Sequence, residues 1–303
     1  MHIEEKKQRD LSMQKCKLCS STNRKLRYSV DGYDVVECGG CGLTFINLHK
    51  DLDVSSLYSS DYYLERENYY LKNSIVDPVR GFENPIIVDF REGLRLIESF
   101  KHTGRLLDIG CGMGIFLSMA KEKGWEVSGV DISDYAVSFA RERFGLNCFA
   151  GKLKDANFPD NYFDVVTLWD VIEHFEGPLE ELEEIKRILT DDGIILFDTP
   201  NVESLMRLIA HWTYKATGGL FKYPVKKLYH QFHLYYFSTR TLRMLLDKAG
   251  FEIMVMRKKT IPITKARGNK FEKLIVRCLS TLEKAANREY EIFVIARKVK
   301  AAC

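Results

Sequence analysis

The stretch "RLLDIGCGMGIF", residues 105–116, constrains the fold more than any other part of the chain. An apolar run carries an acid, three glycines follow at alternate positions, and a helical pattern begins. Glycine tolerates positive φ and close approach of a ligand, so this is a tight strand-to-helix turn built around something. The same rhythm continues downstream. "EVSGVDIS", "LNCFAG", "FDVVTLWDV" and "GIILFDTP" read as strands, with helices predicted at 114–123, 133–143 and 178–189. Strands alternating with helices of this length predict an α/β fold with a doubly wound, largely parallel sheet. A helix at 239–249 and the strands "FEIMVMRK" and "YEIFVIARK" close the chain. Those two strands lack a parallel crossover and predict an antiparallel edge pair. "PIIVDFREGLRLIESF" has helical periodicity, whereas 201–237 reads as an irregular aromatic and basic cap.

The glycines raise a choice of ligand. The dinucleotide fingerprint needs a small residue at the position held by Ile115. Asp108, two residues before the loop, would repel a pyrophosphate. S-adenosylmethionine (SAM) carries a sulfonium and an ammonium and no phosphate, so nearby negative charge suits it. Asp131 ends the next strand, where an acid accepts hydrogen bonds from ribose hydroxyls. The loop is therefore read as a SAM site.

"LLDIGCGMG", "VSGVDIS", "FDVVTLWDVIEHF" and "GIILFDTP" together resemble the successive motifs of class I SAM-dependent methyltransferases, over residues 86–298. The resemblance implies a Rossmann-like seven-stranded sheet whose last strand is antiparallel. It implies that Gly110, Cys111, Gly112 and Gly114 line the methionine part of SAM beside Asp108. Asp131 would bind the ribose, with Ile132 next to it, and Leu168 and Trp169 would close over the cofactor. Many members carry an acid where this chain has Lys152, after Gly151, so Leu153 is expected to pack on the adenine instead.

Four of the eight cysteines form two pairs, Cys16-x2-Cys19 and Cys38-x2-Cys41. This spacing is that of a four-thiolate zinc site, closed to substrate and hence structural. Leu26, Tyr28 and Val30 alternate before Asp31-Gly32, which predicts a hairpin bringing the pairs together. The expected organisation is a zinc ribbon over 1–48, a Tyr-rich linker over 49–82 and a methyltransferase domain over 83–303, its cap near 201–237. A four-cysteine ribbon followed by a Tyr-rich segment is similar to sugar C-methyltransferases acting on nucleotide-linked deoxysugars.

Methyl transfer usually needs a base for the acceptor's proton. His174, in "DVIEHFEGP", and His230 and His233, in "LYHQFHLYYFS", are the candidates. In the methyltransferases this chain resembles, a histidine-rich stretch before such an "FS" segment borders the active site. Two histidines without an attached acid make an incomplete metal site, so no catalytic metal is expected. Tyr62 and Tyr63 are the substrate-lining candidates from the linker.

The net charge of +3 is too small for a general nucleic-acid binder, so a small-molecule substrate is expected. An RNA methyltransferase gripping its substrate through the ribbon, and a non-catalytic SAM-binding scaffold, are the alternatives. The charged start "MHIEEKKQRDLSMQK" lacks an apolar core, and the cysteine usage fits a reducing compartment, so a cytoplasmic location is expected. The segment 205–230 mixes apolar, aromatic and basic residues. It reads as a cap with lysines for a phosphate or as a surface lying on a membrane. Membrane association is not the expectation.

Overall fold

A computed structural model of the chain describes residues 15–48, 85–260 and 279–299. The linker expected at 49–82, with Tyr62 and Tyr63, lies outside the described residues.

The ribbon begins with β1 (Arg24–Val30), turns at Asp31-Gly32, and returns as β2 (Tyr33–Cys38). Gly32 has φ +95°, the left-handed conformation that the Asp-Gly pair announces. β3 (Thr44–Leu48) adds an antiparallel third strand.

Beyond the linker come α1 (Pro85–Glu98), β4 (Arg105–Ile109), α2 (Ile115–Glu122), β5 (Glu126–Asp131), α3 (Asp134–Phe144) and β6 (Asn147–Ala150). They are followed by β7 (Phe163–Trp169), α4 (Pro178–Ile188) and β8 (Leu189–Pro200). Helix ends match their signals. Ser133 caps α3 through the Ala136 amide, and Gly145 closes it in left-handed geometry.

The segment expected to be irregular is ordered. It folds as α5 (Leu205–Ala216), α6 (Tyr223–Leu228) and the two-residue strand β9 (Tyr235–Tyr236). The helical pattern was hidden because α5 turns Arg207 inward and Ile209 and Trp212 outward, the reverse of an ordinary amphipathic helix. Then come α7 (Thr239–Ala249), β10 (Phe251–Lys259) and β11 (Glu291–Lys298).

The main sheet has seven strands in the order β10-β11-β8-β7-β4-β5-β6. β8, β7, β4, β5 and β6 are parallel, and β11 runs antiparallel to both β8 and β10. This is the Rossmann-like α/β sheet with an antiparallel end. Its central strands are apolar on both faces, as burial beneath two helical layers demands. The second sheet has the order β1-β2-β3-β9, so the ribbon takes its fourth strand from the cap. Cys16, Leu18, Cys38, Cys41 and Leu43 share one apolar core with Leu168, Tyr235 and Leu242. The ribbon is thereby packed onto the main domain.

Candidate active site

The carboxyl ends of β4, β5 and β7 meet at one edge of the sheet, the place where open parallel sheets hold ligands. The turn after β4 has Gly110, Gly112 and Gly114 at φ +71°, +51° and +77°. Two of these glycines are also dictated by contact. A Cβ on Gly110 would lie 2.4 Å from Val171 Cγ2, and one on Gly114 2.5 Å from Leu146 Cδ1. The Asp131 carboxylate braces the turn from β5, accepting the Gly112 amide at 2.8 Å and the Ser133 amide at 2.9 Å. Ile132, just past it, is 41% exposed and offers an apolar surface beside the acid.

Asp108 is buried and accepts the Thr167 hydroxyl at 2.6 Å. Burial pushes its carboxyl well above the usual range, with Cys148 and Asp131 adding to the rise. Cys111 is buried as well, its Sγ facing the space above Gly129 that it shares with Cys148.

Three of the expected cofactor neighbours are packed as follows. Strand alternation sends Leu168 and Trp169 to opposite faces. Leu168 is fully buried in the core, and Trp169 packs among Phe90, Phe116 and Phe293 at centroid distances of 5.0, 5.3 and 6.5 Å. The side chain seated on Gly110 is Val171, which the sequence reading passed over. Leu153 is 4% exposed and lies in the core.

His174 and His233 come together although 59 residues apart, their ring centroids 4.7 Å from one another. His174 Nδ1 lies 2.8 Å from the Phe232 carbonyl, to which a protonated Nδ1 donates. His233 Nδ1 is buried without a hydrogen-bond partner. Burial, together with His174 and His230, holds its imidazole well below the usual pKa and so neutral. His230 is exposed and stands 5.7 Å from His233, at the rim.

Glu173 is the acid that sequence reasoning missed. It is fully buried, accepts the Thr199 hydroxyl at 3.0 Å through Oε2, and keeps Oε1 unpartnered. Burial raises its pKa strongly, with Asp170 adding to the effect. Donor atoms of Glu173, His174 and His233 all lie within 4.8 Å of one another. Glu173 thus gives His174 and His233 an acidic neighbour, whereas the sequence reading weighed only His230 and His233 as a metal site. Its signal was the acid–histidine pair directly after a parallel strand.

A second group stands beside this edge. Lys259, near the end of β10, contacts Asp198 at 2.5 Å, Glu291 at 3.2 Å and Asp89 at 3.3 Å. Asp198 Oδ1 in turn accepts the amide of Asp170, which has φ +54°. The left-handed turn that leads from β7 to Val171 and His174 is therefore held by a buried ion cluster.

In the ribbon, Cys16 and Cys41 sulfurs lie 3.7 Å apart and Cys19 and Cys38 sulfurs 3.5 Å apart. All four fall within 4.8 Å of one another. A tetrahedron of thiolates at the usual Zn–S length has sulfurs about 3.8 Å apart, so the donor set fits zinc. Backbone amides of Leu18 and Cys19 point at Cys16, and those of Gly40 and Cys41 at Cys38, as thiolate knuckles require. Between ribbon and cap is a cavity of about 280 Å³ lined by Arg27, Arg207, Arg240, Arg288, Ser204 and Ser238 among others.

A family model described as a methyltransferase domain matches residues 88–255, more than half of the chain. The chain belongs to this methyltransferase family. The match runs from α1 into β10 and covers the glycine turn, Asp131 and the Glu173–His174 pair. A ubiquinone biosynthesis O-methyltransferase of Actinobacillus pleuropneumoniae is 31% identical over 107 residues, 32% of this chain and 46% of that protein. A malonyl-[acyl-carrier protein] O-methyltransferase of Serratia marcescens is 31% identical over 113 residues, 37% of this chain and 44% of that protein. The chain thus spans about half the length of these curated relatives. Among solved structures, a SAM-dependent methyltransferase from Archaeoglobus fulgidus aligns with a TM-score of 0.52 at 25% identity, covering 78% of this chain and 100% of that one. The fold is also that of a phosphoethanolamine N-methyltransferase of Haemonchus contortus in complex with S-adenosyl-L-methionine, with TM-score 0.55, 19% identity, and coverage of 85% of this chain and 62% of that one.

Proposed function

We propose that the protein transfers a methyl group from SAM to a small molecule, a sugar of a nucleotide-linked or polysaccharide pathway. The observation that carries the cofactor reading is the glycine turn braced by Asp131, with a buried acid beneath it and no small residue at position 115. Bound SAM supplies an electrophilic methyl on a sulfonium. Gly110, Cys111, Gly112 and Gly114 give its methionine part a backbone-lined floor. Asp131 would take the ribose hydroxyls, with the exposed Ile132 beside it in the cofactor site.

His233 is our choice of base. Its neutral imidazole has a free acceptor nitrogen in a dry site, so it takes the acceptor's proton as the new bond forms. His174 orients it, and His230 stands at the entrance. We also propose that the ribbon cysteines hold one structural zinc ion. The RNA reading has less support, because Arg27 is paired with Glu37 and Arg24 lies over Phe45.

The test combines binding and turnover. Methyl-labelled SAM is incubated with the protein and with small-molecule, RNA, lipid and protein fractions of a cell extract. Label should enter anionic small molecules. Asp131→Ala should weaken SAM binding by about 10-fold or more, the scale of a lost charge-assisted hydrogen bond. His233→Ala should lower kcat by about 100-fold with SAM affinity retained. Label in RNA would overturn the substrate class, and unchanged SAM affinity in Asp131→Ala the ribose assignment.

A further inference from the structure

The cap carries a surface that the methyl-transfer site does not use. α5 turns Arg207 and Ala210 inward, and the guanidinium of Arg207 is held by the Asn201 and Leu228 carbonyls at 2.9 and 3.1 Å. Its opposite face carries Ile209, 40% exposed, and Trp212, 61% exposed. After α5, Gly218 and Gly219 adopt φ +59° and +84° and swing the chain outward. Leu220 follows at 88% exposure, with Phe221 and Tyr223 at 49% and 50%. An apolar side chain that protrudes this far loses the benefit of burial, and here five large ones lie within fifteen residues.

Cations outnumber acids around them. Lys215 Nζ sits 5.7 Å from the Trp212 ring and Lys227 Nζ 5.6 Å from the Tyr223 ring. Lys222 and Lys226 flank the tip and share a single carboxylate, that of Asp31, at 3.6 and 2.6 Å. The patch therefore keeps an excess of positive charge around an apolar tip. A protruding tip suits a deformable partner better than a rigid groove. Leucine and phenylalanine below a belt of aromatic and lysine side chains match the depth profile of a lipid interface.

We propose that the α5–α6 tip docks on an anionic membrane surface, with Leu220 and Phe221 inserted, Trp212 and Tyr223 at headgroup level and the lysines on lipid phosphates. No described helix is long and apolar enough to cross a membrane, so the contact is peripheral. It is independent of the identity of the methyl acceptor.

Flotation of the full chain with vesicles tests this. One set is phosphatidylcholine alone, and the other is phosphatidylcholine with an equal part of phosphatidylglycerol. The protein should float with the anionic vesicles, less so at high salt, with a blue shift of Trp212 emission that Trp212→Phe removes. The double variant Leu220→Asp, Phe221→Asp should bind at least about 10-fold more weakly. Its thermal melting should be unchanged, since both side chains are exposed. Lys215→Glu with Lys227→Glu should erase the preference for anionic vesicles. No flotation with either vesicle, or equal flotation of the wild type and the tip variant, overturns the proposal. So does self-association in sedimentation velocity that the tip variant abolishes without any vesicle binding, which would make the patch a contact between copies.

Discussion

Asp108 illustrates how one residue can change meaning between sequence and structure. In the sequence it is a negative charge that rejects a pyrophosphate. In the fold it is buried against Thr167, and burial pushes its pKa up. A carboxyl with a raised pKa holds its proton to higher pH, and a cation beside it pulls that pKa back down. Binding of SAM should therefore release protons, and affinity should rise with pH until Asp108 is ionised in the free protein. Calorimetry in buffers of different ionisation enthalpy measures the release, and Asp108→Asn should abolish most of it. Asp131 and the three glycines were legible because a positive φ and a strand-end acid leave residue-type signatures. Val171 and Glu173 were not, because a valine on a glycine and an acid facing Thr199 are defined by neighbours distant in sequence.

At the scale of elements, the parallel strands and most helices were legible from apolar runs and caps such as Ser133 and Gly145. α5 was not, because its inward face carries Arg207 and its outward face Trp212. Nor could the sequence reveal what ties the antiparallel edge to the centre. Lys259 on β10 reaches past β11 to Asp198 on β8, and three carboxylates surround it. Its ammonium is held far above its ordinary pKa despite burial, chiefly by Asp198 and then Glu291, so it does not serve as a base. Lys259→Met should cost about 3 kcal/mol of stability at neutral pH, because it leaves buried carboxylates uncompensated. The deficit should shrink as pH falls and those carboxylates take up protons. Urea unfolding at two pH values measures both effects. Lys259→Arg should recover part of the loss.

For the molecule as a whole, the two cysteine pairs and the Asp31-Gly32 turn foretold a hairpin that clusters the four thiols but not its attachment. Its sheet is completed by Tyr235 and Tyr236, one residue beyond His233 in the chain. A metal at the cysteines would therefore stabilise the active-site edge as well as the ribbon. One equivalent of zinc per chain is expected by elemental analysis. Cys16→Ser with Cys41→Ser should lower the metal content, the melting temperature and kcat together. Retention of turnover in a metal-free variant would separate ribbon from site. The pairing of Thr44 with Tyr236 has a consequence for biosynthesis. The first three strands of this sheet end at Leu48, 188 residues before their fourth neighbour is completed at Tyr236. At ordinary translation speeds that interval is on the order of 10 to 40 s. Throughout it, β3 presents an unpaired edge to the cell, and a nascent chain in that state is open to a chaperone or to another chain's strand.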